Sequence, residues 1–244
     1  MALNKGEDFY ILILSQEMPK RFRIMRDIKT IFVILVVQLT CHATGSLLMR
    51  APTLLFFLIG TLPVASQSDA DWRDLLPKDT LEAWSPSAEA QCWQVTDGIL
   101  RVKNSPEKKG SILWTRESFR NFLFQTDFRM LDGIVDSGIF LRSEANQIQI
   151  GISGSLKTDR TASPYLPGKG YPVEAAGVPE LLRTGDWNTL MVRCSGDTYQ
   201  VWLNGTQVLD YTSASLPPEG PVGLQLHPGN IMEIHFRKIQ VKTL

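Results

Sequence analysis

Phe122-Leu123-Phe124-Gln125-Thr126-Asp127-Phe128-Arg129-Met130 is the stretch whose alternation decides the fold class. Successive side chains of a strand point to opposite faces, so Phe122, Phe124, Phe128 and Met130 share one side and Gln125, Asp127 and Arg129 the other. The division recurs at 147–152, where Ile148, Ile150 and Ile152 oppose Gln147 and Gln149, and at 222–227, where Val222, Leu224 and Leu226 oppose Gln225 and His227. Repetition of one apolar and one polar side predicts antiparallel sheets with a buried inner face. The polar side then gathers Asp127, Arg129, Gln147, Gln149, Gln225, His227 and, from the next run, Arg142. Any antiparallel sheet with one solvated side alternates in this way. The residue types point further, because amide, guanidinium, imidazole and carboxylate groups offer the planar hydrogen bonding that sugar hydroxyls accept, whereas Lys and Glu dominate ordinary solvated faces.

Outward from these runs the chain breaks into short β-prone segments separated by turn residues, the spacing of a β-sandwich or jelly roll. Asp97-Gly98 within 93–102 and Asn204-Gly205 within 199–209 suit the φ > 0 positions of type I′ hairpins. In the second hairpin Trp202 falls opposite Val201 and Leu203, where it either stacks on a pyranose ring or joins a core. Residues 153–182 interrupt the rhythm with four prolines and a cluster of glycines, too long for an idle connection. Their Tyr165, Lys169, Tyr171 and Glu174 are candidate ligand contacts, the alternative being a structural flap. Upstream, 67–86 is mixed and polar, with a turn of helix expected at 72–76 and regular alternation only from Trp93.

The N-terminus holds two apolar runs, 31–37 and 54–62, each short of the ~20 residues that a membrane-spanning helix needs. The second follows Met49-Arg50 and ends at Val64-Ala65-Ser66, which reads as a signal peptide cleaved after Ser66, with Met49 as the true start. The expected organisation is a leader over 1–66 and one sandwich domain over 67–244, exported to the periplasm or outside, with no stable membrane span after cleavage. Both apolar runs joined as a membrane anchor is the rival reading. Two cysteines remain after cleavage, Cys92 and Cys194, either paired or buried as small apolar groups. Neither has the spacing of a zinc or redox site. The formal net charge is zero and no basic block interleaves with aromatics, which argues against nucleic acid.

An ordered set of motifs runs through 70–244: Trp93-x-Val95-x-Asp97-Gly98-x-Leu100, Phe119-x-Asn121-Phe122-x-Phe124-x-x-Asp127-Phe128, and Ser137-Gly138-Ile139-Phe140-Leu141-Arg142. Asp186-Trp187-Asn188, Val201-Trp202-Leu203-Asn204-Gly205, 220–227 from Gly220-Pro221 to His227, and Phe236-Arg237-Lys238-Ile239 follow. The set resembles the 3-keto-disaccharide hydrolase domain family. The resemblance implies an all-β, two-sheet, concanavalin-like jelly roll acting on glycosides already oxidised at C3, by lyase and hydratase steps that sum to hydrolysis. On that reading His227 shuttles a proton, Arg142 stabilises the enolate, and Asp127 and Gln149 orient hydroxyls. Gln147, Tyr165, Lys169, Glu174, Trp202 and Gln225 are the remaining expected saccharide contacts. The sequence departs from the family at one strand: many members carry Glu-x-Gln-Ile-x-Asp where this chain has Gln147-Ile148-Gln149-Ile150-Gly151-Ile152. With both carboxylates gone, no cofactor and no metal ligand set is expected, and a divalent cation is disfavoured. The enzyme and a non-catalytic carbohydrate-binding module of the same fold both remain as expectations.

Overall fold

The computed structural model describes residues 71–85 and 87–244. The expected leader, the start at Met49 and the cleavage after Ser66 lie outside the described residues. The alternating runs become strands: β1 (Arg73–Asp74), β2 (Trp93–Thr96), β3 (Ile99–Lys103), β4 (Ser111–Trp114), β5 (Phe122–Gly133), β6 (Asp136–Leu141) and β7 (Gln147–Gly151). β8 (Pro164–Tyr165), β9 (Asn188–Ser195), β10 (Thr198–Leu203), β11 (Thr206–Thr212), β12 (Val222–Leu226) and β13 (Met232–Thr243) complete them, with one short α-helix, α1 (Val178–Leu181), and 3-10 turns at Pro77–Asp79 and Ala90–Cys92.

The larger sheet has the order β11-β10-β9-β5-β13-β3-β2, with β1 also pairing β13; the smaller runs β4-β12-β6-β7-β8. Their inner faces meet in one core. Phe122, Phe124, Phe128 and Phe236 enter it from the larger sheet, and Ile139, Leu141, Ile148, Ile150 and Leu224 from the smaller, all fully buried. Fully burying such a side chain contributes about 1.5–3 kcal/mol relative to exposure, which is what fixes the register, since a slip of one residue would turn every one of them to water. Both expected hairpins form. Asp97 (φ 53°) and Gly98 (φ 71°), and Asn204 (φ 51°) and Gly205 (φ 87°), hold the positive dihedrals that a two-residue connection requires.

One expectation changes and one open choice is decided. The helical turn foreseen at 72–76 is instead β1, extended against Val241 and Gln240 of β13. Leu75 and Leu76 are buried, and the Trp84 indole N–H donates to the Leu75 carbonyl at 2.7 Å. The segment is too short for its periodicity to register, and its hydrogen bonds go to a distant strand that a local reading does not see. The cysteines cannot pair. Both are buried and free, and β9, which carries Cys194, lies four strand steps from β2, which follows Cys92. At about 4.8 Å per step that is roughly 19 Å, far beyond disulfide reach. Burial holds the Cys194 thiol up at about 11, so it is inert at neutral pH. Among the described residues no helix is long and apolar enough to cross a membrane.

Candidate functional site

The outer face of the smaller sheet is built from every second residue of five strands. Trp114, Gly223, Phe140, Gln147 and Tyr165 stand side by side across β4, β12, β6, β7 and β8. One pleat further along, Ile112 pairs with Gln225, and Gly138 with Gln149. A third row brings Asp136 opposite Gly151, with His227 just past the end of β12. Gly138 is needed here for its lack of a side chain, because a Cβ would collide with the Gln147 amide that crosses above it. A cleft of about 410 Å³ opens at the first row, lined by Phe140, Glu144, Gln147, Tyr165 and Gln225 among others. The Trp114 and Phe140 rings lie 5.7 Å apart on one flank, and Tyr165 and Tyr171 5.2 Å apart on the other.

The polar groups of this face are joined. Gln147 Nε2 shares its two hydrogens among Gln225 Oε1 at 2.9 Å, Gln149 Oε1 at 3.1 Å and the Ser137 carbonyl at 3.2 Å. Gln149 Nε2 donates to Asp136 Oδ1 at 2.8 Å, and Asp136 Oδ2 faces His227 Nε2 at 3.8 Å. The Asp136 side chain is only 4% exposed. A buried carboxylate is costly unless it is hydrogen-bonded or paired, and the Gln149 amide donates the hydrogen bond that compensates it. His227 Nδ1 lies 2.7 Å from the Pro228 carbonyl. A carbonyl only accepts, so Nδ1 carries the proton and Nε2 is left to face the carboxylate. Tyr171 closes the group from the 153–182 segment. Burial pushes its phenol up, the nearby Asp136 adds to this, and a hydrogen bond with Ser153 opposes it, so the O–H stays protonated at neutral pH.

The structure thus brings together Gln147, Gln149, Gln225, His227 and Tyr165 from the residues the sequence singled out. It separates the others. Asp127 and Trp202 are on the larger sheet, whose outer face is the opposite side of the molecule. There Asp127 is buried and accepts from Arg237 Nε at 3.0 Å and from the Thr189 hydroxyl at 2.7 Å. Trp202 is half-buried between its strand partners Met191 and Gln207. Arg142 does not join the polar face at all. With φ at 60° it leaves the strand, is 3% exposed, and donates to the carbonyls of Gly196 (2.6 Å), Pro217 (2.8 Å) and Arg120. Lys169 is exposed in the turn that links Leu166 to Gly170, and Glu174 is ion-paired with Arg160. Residues missed from the sequence are Asp136, Glu144, Phe140 and Trp114. For Asp136 a signal existed, since it shares strand parity with Gly138 and Phe140 against Ile139 and Leu141. Among the described residues no group of three or more His, Cys, Asp or Glu side chains gathers to hold a metal ion.

Against known proteins, the profile of a family described as the 3-keto-alpha-glucoside-1,2-lyase-like domain matches residues 71–242. No curated protein matches the sequence. Among solved structures the chain is similar to two proteins of Parabacteroides distasonis provisionally named glycosyl hydrolases. The first is 24% identical with a TM-score of 0.54, over 71% of this chain and 99% of that one. The second is 16% identical with a TM-score of 0.54, over 72% and 94%. The exoplasmic/lumenal domain of VIP36, solved with Ca2+ and Man3GlcNAc, is 12% identical with a TM-score of 0.53, over 72% and 90%. At these identities the likeness to solved structures establishes the sandwich fold.

Proposed function

Since the chain belongs to the 3-keto-alpha-glucoside-1,2-lyase-like domain family, we propose that it cleaves 3-keto-glycosides by elimination across C1 and C2, followed by addition of water. The observation that carries this reading is the buried Asp136 facing His227 Nε2 at one end of an amide-lined face. A ketone at C3 acidifies the C2 hydrogen. His227 Nε2 takes that proton, and the C2–H electron pair enters the C2–C3 enolate. Re-formation of the C3 ketone then makes the C1–C2 double bond and expels the C1 oxygen with its electron pair. The leaving oxygen takes a proton from the Tyr171 phenol or from the imidazolium. Water next adds its oxygen to C1 and a proton to C2, giving the free keto sugar and the free aglycone. Asp136 stabilises the imidazolium that forms after the first step, its Oδ2 facing the nitrogen that has gained the proton.

Ordinary glycoside hydrolysis fits the face less well. It needs two carboxyl groups ~5–9.5 Å apart across the scissile bond. Asp136 and Phe140 are four residues apart on β6, roughly 13 Å, and Glu144 lies beyond Phe140 at the cleft. One carboxylate beside an imidazole suits proton abstraction next to a ketone. The apolar run at 54–62, ending at Val64-Ala65-Ser66, supports action outside the cytoplasm. A second reading, saccharide binding without turnover, draws on the family resemblance: Gln147 and Ile152 stand where the pattern described for the family has carboxylates. Turnover assays decide between the two. The full-length protein should release aglycone from 3-keto-glucosides, with transient conjugated enone, and leave the unoxidised parent glucosides intact. Saturable binding of either sugar with no release would assign the protein to recognition instead.

A further inference from the structure

We propose that Gln225 is the residue that recognises the substrate ketone, and that a hydrogen-bonded chain starting at Asp136 holds its amide with the N–H groups outward. This rests on the elimination reading above. A carboxylate accepts and does not donate, so Asp136 Oδ1 fixes Gln149 with its Nε2 toward the acid and its Oε1 away from it. That Oε1 accepts from Gln147 Nε2. The Gln147 amide is pinned a second time by the Ser137 backbone carbonyl, which also only accepts. The same Nε2 donates to Gln225 Oε1, so the oxygen of Gln225 is engaged inside the network. Its Nε2, for which no acceptor occurs among the described residues, is left as the donor that Gln225 offers to the cleft it lines.

Placement on the strand makes this donor useful. Gln225 and His227 point from the same face of the chain, two residues and roughly 7 Å apart. A sugar whose C2 hydrogen meets His227 Nε2 therefore carries its C3 oxygen toward Gln225. A ketone oxygen only accepts, and the outward N–H of Gln225 matches it. The match tightens as negative charge develops on that oxygen in the enolate. A C3 hydroxyl held by the same donor must find a separate acceptor for its own proton, and a Gln225 turned the other way round would favour the hydroxyl and repel the ketone. Gln225 is then a specificity residue, while Gln147, Gln149 and Asp136 are positioning residues for it. Asp136 thereby serves twice, through Oδ2 toward His227 and through Oδ1 toward the amides.

The test uses 1,5-anhydro-3-ketoglucitol, which has no leaving group at C1 and so binds without being cleaved, and its parent 1,5-anhydroglucitol. Both are titrated calorimetrically into the full-length protein. The wild type should bind the ketone about tenfold more tightly, the scale of one well-made hydrogen bond. Gln225→Glu keeps the acceptor for Gln147 but has no N–H to offer, and should bring the ratio to about one with an unchanged Tm. Asp136→Asn, whose amide can face Gln149 either way round, should lower the ratio as well. Equal affinities in the wild type, or a ratio untouched by Gln225→Glu, would overturn the proposal. Preference for the ketone with no turnover of 3-keto-glucosides would sink the elimination chemistry and uphold the amide chain; turnover without preference would do the reverse.

Discussion

At Arg142 a guanidinium that strand alternation assigns to the sugar face instead ties three loop carbonyls together. The reversal comes from one backbone dihedral: φ of 60° takes the residue out of β6 and swings its side chain to the end of the sandwich. Truncation should therefore act on stability. Arg142→Ala removes the charged donor that three part-buried loop carbonyls share, and urea unfolding should show a loss of about 2 kcal/mol, within the range for hydrogen bonds to a charged group, while turnover per folded molecule stays unchanged. Parallel loss of turnover in the fully folded variant would return Arg142 to the site. Asp136 is the converse case. Its position on the polar side was legible from its parity with Gly138, but β6 offers no other polar side chain on that face, Gly138 and Phe140 following it, so the alternation does not single it out. His227 and the glutamines were legible because three strands repeated the same pattern.

Among elements, β13 carries a polar pair that makes stability depend on pH. The His235 imidazole is buried and its Nε2 lies 2.9 Å from Glu233 Oε1; Glu233 also accepts from Lys103 Nζ at 2.9 Å. Burial holds His235 below the ordinary imidazole range against the opposing hydrogen bond and charge of Glu233, with Arg101 and Arg129 adding to the burial; the hydrogen bond from Lys103 holds the Glu233 carboxyl below the ordinary carboxylate range. The unfolded chain takes up these protons at ordinary values, near 6.5 and 4.3, before the native state does. Stability is then full above about pH 7, falls first through the imidazole range and falls again through the carboxylate range. Differential scanning fluorimetry should show Tm declining from pH 7 to pH 4, and His235→Gln should flatten the upper part of that decline. A profile flat to pH 5 in the wild type would contradict it. The strands themselves were legible, but their sheet was not. Alternation says which side of a strand is buried and nothing about which sheet receives it, so β5, which pairs with β9 and β13, was grouped with β7 and β12, which flank β6.

For the whole molecule, the sandwich class was written in the repeated two-residue period and in the Asp-Gly and Asn-Gly turns, which are local signals. The contribution of residues 71–92 to the core was not, because their partners are distant in sequence. The decisive consequence of the two-sheet arrangement is that the molecule has two polar outer faces, each with one buried aspartate, Asp136 on the smaller sheet and Asp127 on the larger. Of the two, only Asp136 faces an imidazole, that of His227, so chemistry belongs to the first face alone. Turnover of a 3-keto-glucoside by folded Asp136→Asn and folded Asp127→Asn, measured side by side, tests that assignment most directly. Asp136→Asn should lose about a hundredfold or more, the usual contribution of a positioned acid–base group, while Asp127→Asn retains wild-type turnover and loses only stability; the opposite ranking, or equal loss in both, would contradict the account.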